Sequence, residues 1–150
     1  MSDVRTRRLT SGDRELAKSL FAMMSDVFEE ETERLGDDYV DRLLAREDFW
    51  VLAAFLGDEI VGGVTAHTLP MTRTESSEVF IYDIAVRPYR QRKGIGRHLI
   101  TALREAATAA GIQELFVPAD NDDVHALEFY RAMGGVPSLV TFFTFSGDDE

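Results

Sequence analysis

The sequence predicts an α/β domain built on a mixed sheet, and three observations carry that prediction. A two-residue turn, Gly57-Asp58, separates two apolar, β-prone runs, residues 49–55 and 59–69, as an antiparallel hairpin requires. Downstream, short apolar strands alternate with helical periodicity, the pattern of parallel pairing. At 150 residues, 45% hydrophobic with ten Phe, the chain fits one domain over 1–150 with a single sizeable core.

The elements follow in order. Residues 4–9 alternate weakly as a first strand. Thr10 or Ser11 then offers a side-chain oxygen to cap a helix whose apolar residues Leu16, Leu20, Met23 and Val27 recur at helical spacing. The run Glu29-Glu30-Glu31 ends that helix in solvent, and a short second helix over 37–46 follows Gly36. The hairpin comes next and stops at Pro70. A polar loop over 71–77 leads to an apolar strand, 79–86. Residues 94–110 are strongly periodic, with Ile95, Leu99, Leu103, Ala106 and Ala110 on one face and Gly111 as C-terminal cap. A short strand over 115–117, a helix over 122–133 ended by Gly134-Gly135, and a last apolar strand over 136–145 complete the fold before the acidic tail. Phe28, Trp50 and Phe142 read as core. The last strand is also suited to pairing between subunits, so a homodimer is expected.

Composition excludes several classes of partner. Sixteen Lys and Arg against twenty-seven Asp and Glu leave a formal charge of -11. Such a surface repels nucleic acid and anionic membrane and attracts a cationic ligand, although the same charge also serves solubility. Without Cys there is no disulfide, no thiolate nucleophile and no thiolate metal site. His67, His98 and His125 lack metal-ligand spacing, so no metal is expected. No stretch is apolar enough to span a bilayer, and the first residues lack the apolar segment of a signal peptide; a cytoplasmic protein is expected.

The most informative segment runs from Arg87 to Arg97, between the apolar strand and the periodic helix, and places five basic side chains in an acidic chain. Gly94 and Gly96, one residue apart, free the backbone to turn successive N–H groups toward one anion. The helix that begins there adds unsatisfied N–H groups and the positive end of its dipole. A pyrophosphate fits this turn. The dinucleotide fingerprint fails because Leu99 stands where a third glycine belongs, and the nucleoside-triphosphate loop fails because Lys93 precedes Gly94.

Gln91-Arg92-Lys93-Gly94-Ile95-Gly96 after this strand resembles the acetyl-coenzyme A signature of the GCN5-related N-acetyltransferase (GNAT) family, and 126–134, with Tyr130, resembles that family's second motif. The resemblance implies the GNAT fold: a central mixed sheet flanked by helices, with strands splayed at the acetyl-CoA site. It implies that backbone amides from Gln91 through Arg92, Lys93, Gly94 and Ile95 to Gly96, continuing to Arg97, hold the pyrophosphate. Backbone groups of Ile84, Ala85 and Val86 would line the pantetheine arm like an added strand. Further marks, Leu52 to Ala54, Leu69-Pro70, 81–86, Ala119-Asp120 and Asp122-Asp123, resemble the gentamicin-type aminoglycoside 3-N-acetyltransferases over residues 49–145. These imply acetyl transfer from acetyl-CoA to an aminoglycoside amine, at the 3-N position, giving antibiotic resistance.

Amine acetylation needs a deprotonated nitrogen held against the thioester and a stabilised carbonyl oxygen. Asp83 is the sharpest candidate base. Its strand is apolar throughout, of a kind normally buried on both faces, so a carboxylate there must be paired or face a cleft. It serves either as proton acceptor or as counter-charge to a substrate ammonium. Asp120, Asp122 and Asp123 form a carboxylate cluster able to grip several ammonium groups, while Asp122 or Asp123 is also placed to cap the next helix. Glu78, at the mouth of the Asp83 strand, is a further candidate. By the resemblance, Tyr130 gives a proton to the departing thiolate; otherwise it is an amphipathic core residue beside Phe129. Two other readings remain open: another amine acceptor, such as a polyamine or protein amino group, and a non-catalytic acyl-CoA binding module.

Overall fold

In the computed structural model, which describes residues 3–31, 33–91 and 93–147, the chain forms two compact units, Met1–Pro118 and Ala119–Glu150. The first contains strands β1 (Arg5–Arg8), β2 (Phe49–Leu56), β3 (Glu59–Pro70), β4 (Ser77–Val86) and β5 (Glu114–Phe116), with helices α1 (Arg14–Phe28), α2 (Asp37–Ala45) and α3 (Ile95–Ala109). The second contains helix α4 (Val124–Ala132). The five strands lie in chain order in one sheet. β1 to β4 are antiparallel, with the expected hairpin as β2 and β3, and β5 runs parallel to β4. The sheet is therefore mixed.

Two adjacent glycines explain how helices cover both its faces. Neighbouring residues of a strand point to opposite sides. A Cβ on Gly63 would stand 2.5 Å from Leu20 of α1, whereas one on Gly62 would stand 3.0 Å from the Ala85 carbonyl oxygen and 3.1 Å from Ile95 of α3. α1 and α3 therefore press on opposite faces, each over a residue with no side chain. On the α1 side Leu20, Met23, Val40 and Leu44 pack with Val51, Ala53 and Phe55. α3 buries Ile95, Leu99, Ile100, Leu103 and Ala107. The expected stripe ended on Ala106 and Ala110; Ala107 takes their place, since α3 stops at Ala109 and Ala110 is exposed. The Arg14 guanidinium forks onto Asp41 at 3.0 and 2.8 Å, and Lys18 reaches Asp37 at 2.6 Å, tying α1 to α2.

Other expectations change. α1 begins after Asp13, not at Thr10 or Ser11. The Asp13 carboxylate accepts from the Thr10 N–H at 2.8 Å, so it closes the preceding turn and leaves the helix without a side-chain cap. The apolar strand expected over 136–145 does not form. A strand needs a ladder partner for its backbone groups, and α4 is the only regular element in Ala119–Glu150 among the described residues. Phe142 is accordingly 75% exposed and not core, and Phe28, at the end of α1 where Glu29 turns left-handed, is exposed too. Trp50 is buried as expected.

Candidate active site

The turn after β4 is built by its own hydrogen bonds. The Arg87 N–H donates to the Val61 carbonyl at 2.9 Å, and its Nε donates to Ile60 at 2.7 Å, fastening the end of β4 to β3. Pro88–Arg90 form a single 3-10 turn. The Gln91 side chain donates back to the Val86 carbonyl at 3.1 Å, and its N–H is used on Pro88 at 3.3 Å. Gln91 thus closes the turn, and its amide is engaged instead of open to an anion. Arg92 lies outside the described residues. Gly94 caps α3 with φ +82°, a conformation that disfavours any side chain. The first helical bond, His98 N–H to Gly94 at 3.0 Å, leaves the N–H groups of Ile95, Gly96 and Arg97 ahead of the ladder, where an anion meets them. Lys93 and Arg97 are exposed and have no ion pair among the described residues.

β4 is open beside that turn. Its parallel pairing with β5 covers Glu78, Val79 and Phe80 and stops there, so Ile81–Val86, including Ile84, Ala85 and Val86, have no strand on that side among the described residues. The Phe80 and Phe116 rings stack 5.1 Å apart at the last pair. Across the other edge, Ala66 faces Ile81 and Thr65 faces Asp83, which leaves Tyr82 as a bulge residue. Bulges bend a strand and re-aim its side chains. β4 is consequently not buried on both faces, as its apolar sequence suggested. Val79, Ile81 and Ala85 are buried, while Tyr82 is exposed and Asp83 half-buried. The Asp83 carboxylate has no hydrogen-bond or ion-pair partner among the described residues, and burial, with repulsion from Glu30, pushes its pKa up. Sequence reasoning took Glu30 as part of a solvated helix end and missed its influence on Asp83. Glu78 lies five residues from Asp83 along β4, roughly 16 Å at about 3.3 Å per residue, so the two do not converge.

In Ala119–Glu150 the Asp123 side chain accepts from the Ala126 N–H at 3.1 Å and caps α4. Asp120, Asp122 and Asp123 are all exposed, and the Asp123 N–H donates to Asp120 at 3.0 Å, holding the three residues in one turn. Tyr130 is half-buried in α4 with its ring 5.3 Å from Phe129, edge on. Among the described residues no group of three His, Asp or Glu side chains could hold a metal ion, and no helix is long and apolar enough to cross a membrane.

The acetyltransferase (GNAT) family matches residues 15–134. The chain belongs to this family. Its five-stranded mixed sheet flanked by helices is the GNAT fold, and the match runs across both compact units. GNAT acetyltransferases use acetyl-CoA. Over 97 residues, 65% of the chain, it is 32% identical to the uncharacterized N-acetyltransferase YvbK of Bacillus subtilis (strain 168), and it spans 58% of that protein's length. Among solved structures, the aminoglycoside acetyltransferase meta-AAC0020 from an uncultured soil metagenomic sample, in complex with sisomicin, is 33% identical over 97% of both chains, with a TM-score of 0.93. The aminoglycoside acetyltransferase HMB0005, also from an uncultured soil metagenomic sample, is 32% identical over 99% of this chain and 100% of its own, with a TM-score of 0.93.

Proposed function

We propose that this GNAT protein transfers the acetyl group of acetyl-CoA to an amino group of an aminoglycoside, at the 3-N position, and so confers resistance. The observation that carries this reading is Asp83, half-buried and without a polar partner among the described residues, on the open stretch of β4 that leads into the Gly94 turn. The similarity to meta-AAC0020 and HMB0005 supports the acceptor class. The working unit is the whole chain, 1–150, acting as a cytoplasmic homodimer.

When bound, acetyl-CoA supplies a thioester carbonyl as acyl donor. The N–H groups of Ile95, Gly96 and Arg97, with the Lys93 and Arg97 side chains, would hold the pyrophosphate, and the backbone of Ile84 to Val86, which has no strand partner on that side among the described residues, would take the pantetheine arm. Asp83 attracts the acceptor ammonium and takes its proton, a task helped by burial, which raises the carboxyl's pKa above its ordinary value. The C–N bond would then form as the C–S bond breaks, with the nitrogen's second proton released to solvent. Tyr130 is assigned, on the family resemblance, as the proton donor to the leaving sulfur. Asp120, Asp122, Asp123 and Glu78 are assigned, on the family resemblance, as further contacts for the ammonium groups of a polycationic acceptor.

The test is thiol release from acetyl-CoA with gentamicin, apramycin, kanamycin, spermidine and a lysine peptide as acceptors. Turnover confined to the aminoglycosides is expected, with product regiochemistry read by NMR. Turnover only on spermidine or peptide replaces the acceptor, and CoA binding with silence on every amine replaces catalysis by a binding role.

A further inference from the structure

Among the described residues, the structure divides the positive charge of the basic turn in two. Glu59, the first residue of β3, receives three side chains of the turn. Arg90 Nη2 donates to its Oε1 at 3.0 Å, the Tyr89 hydroxyl donates to its Oε2, and Arg87 Nε stands 3.8 Å from the same oxygen. The carboxyl is held below its ordinary range, first by the Tyr89 hydrogen bond and then by Arg90. Arg90 Nε is buried with no hydrogen-bond partner among the described residues, so its guanidinium depends on Glu59 for compensation. Lys93 and Arg97, on either side of the Gly94 cap, have no such partner among the described residues.

We propose that Glu59 is the positioning residue of the acetyl-CoA turn. It engages Arg87 and Arg90 as struts and, among the described residues, leaves Lys93 and Arg97 as cations to meet phosphate. The inference rests on the acetyl-CoA reading above. Two effects oppose one another when Glu59 loses its charge. An acid is removed near the phosphates, which strengthens anion binding through space, and the 3-10 turn that aims the α3 amides loses its anchor. The first acts over solvent and fades beyond about 8 Å at physiological ionic strength. The second displaces donors whose value depends on geometry at the ångström scale. The loss of anchoring wins.

In the full chain, Glu59→Gln is expected to raise the Kd for CoA about tenfold by calorimetry and the KM for acetyl-CoA in parallel, with kcat changed less than twofold. The ratio of mutant to wild-type Kd stays constant between 50 and 500 mM NaCl, as a geometric effect requires and a through-space charge effect does not. Tyr89→Phe, which removes one exposed hydroxyl, weakens CoA by two- to threefold and keeps the idea testable where Glu59→Gln does not fold. Arg90→Gln added to Glu59→Gln costs nothing further. CoA binding by Glu59→Gln within twofold of wild type, or tighter, overturns the proposal while leaving the cofactor site standing. Failure of the wild-type chain to bind CoA overturns both.

Discussion

A carboxylate on an apolar strand is either a structural necessity or a functional cost, and Asp83 can be tested for which. It faces Thr65 across the sheet, beside the Tyr82 bulge, and no donor among the described residues offsets its half-buried charge. Burial and Glu30 raise its pKa. A carboxyl with a higher pKa in the folded state than in the unfolded one binds more protons when folded. Its ionised form therefore destabilises the fold at neutral pH, and the penalty is relieved as pH falls through the raised value. Asp83→Asn is expected to raise Tm at pH 7.5, with the difference closing toward pH 4. The same variant should lower kcat about a hundredfold, as loss of a general base does, while the Kd for CoA stays put. The acid limb of wild-type kcat/KM should be shifted upward from that of an ordinary Asp, the direction in which burial and Glu30 move Asp83. Melts across this pH range and a kinetic profile check each part, and undiminished turnover removes Asp83 from the chemistry.

At the scale of elements, three glycines separate three kinds of constraint on α3. Among the described residues nothing lies within 4 Å of where a Gly94 Cβ would stand, so Gly94→Ala suffers mainly from its φ of +82°, about 1–2 kcal/mol. Gly62→Ala meets the Ala85 backbone oxygen and Ile95, and is expected to cost about 1–3 kcal/mol in denaturant melts while weakening CoA by pushing α3 outward. Gly96, in the first turn of α3, is partly exposed, so Gly96→Leu should abolish CoA binding with little change in Tm; retained binding sinks the pyrophosphate assignment. The hairpin and α3 were legible in the sequence because a tight turn and a period are local signals. The packing of helices onto Gly62 and Gly63 was not, since nothing local says which helix covers which face. Glu59 meets Arg90 across thirty-one residues, and Glu30 acts on Asp83 from a different element, so both stayed hidden while Asp83 itself stood out against its apolar strand. Asp123 was legible as a cap because its partner, the Ala126 N–H, is three residues away.

For the whole molecule, the segment over 136–145 misled because β-propensity measures fitness for a pleated neighbour that the sequence does not name. Val136, Leu139, Val140, Phe142, Phe143 and Phe145 are 75–100% exposed, and no charged residue interrupts them in a chain that is 29% charged. A monomer rarely shows water so many large apolar groups in one run. A second copy of the chain is the partner proposed for it. A buried aromatic side chain removes about 150–250 Å² from water, so three Phe from each of two copies supply on the order of 1,000 Å², most of what a stable dimer buries. The formal charge of -11 on each copy opposes association at long range, so added salt should tighten it. Analytical ultracentrifugation is expected to show a dimer at micromolar concentration whose dissociation constant falls between 20 and 200 mM NaCl. Phe142→Asp with Phe143→Asp should give a folded monomer. A wild-type chain that sediments as a monomer throughout that range rejects the dimer, and a double variant that stays dimeric places the interface elsewhere.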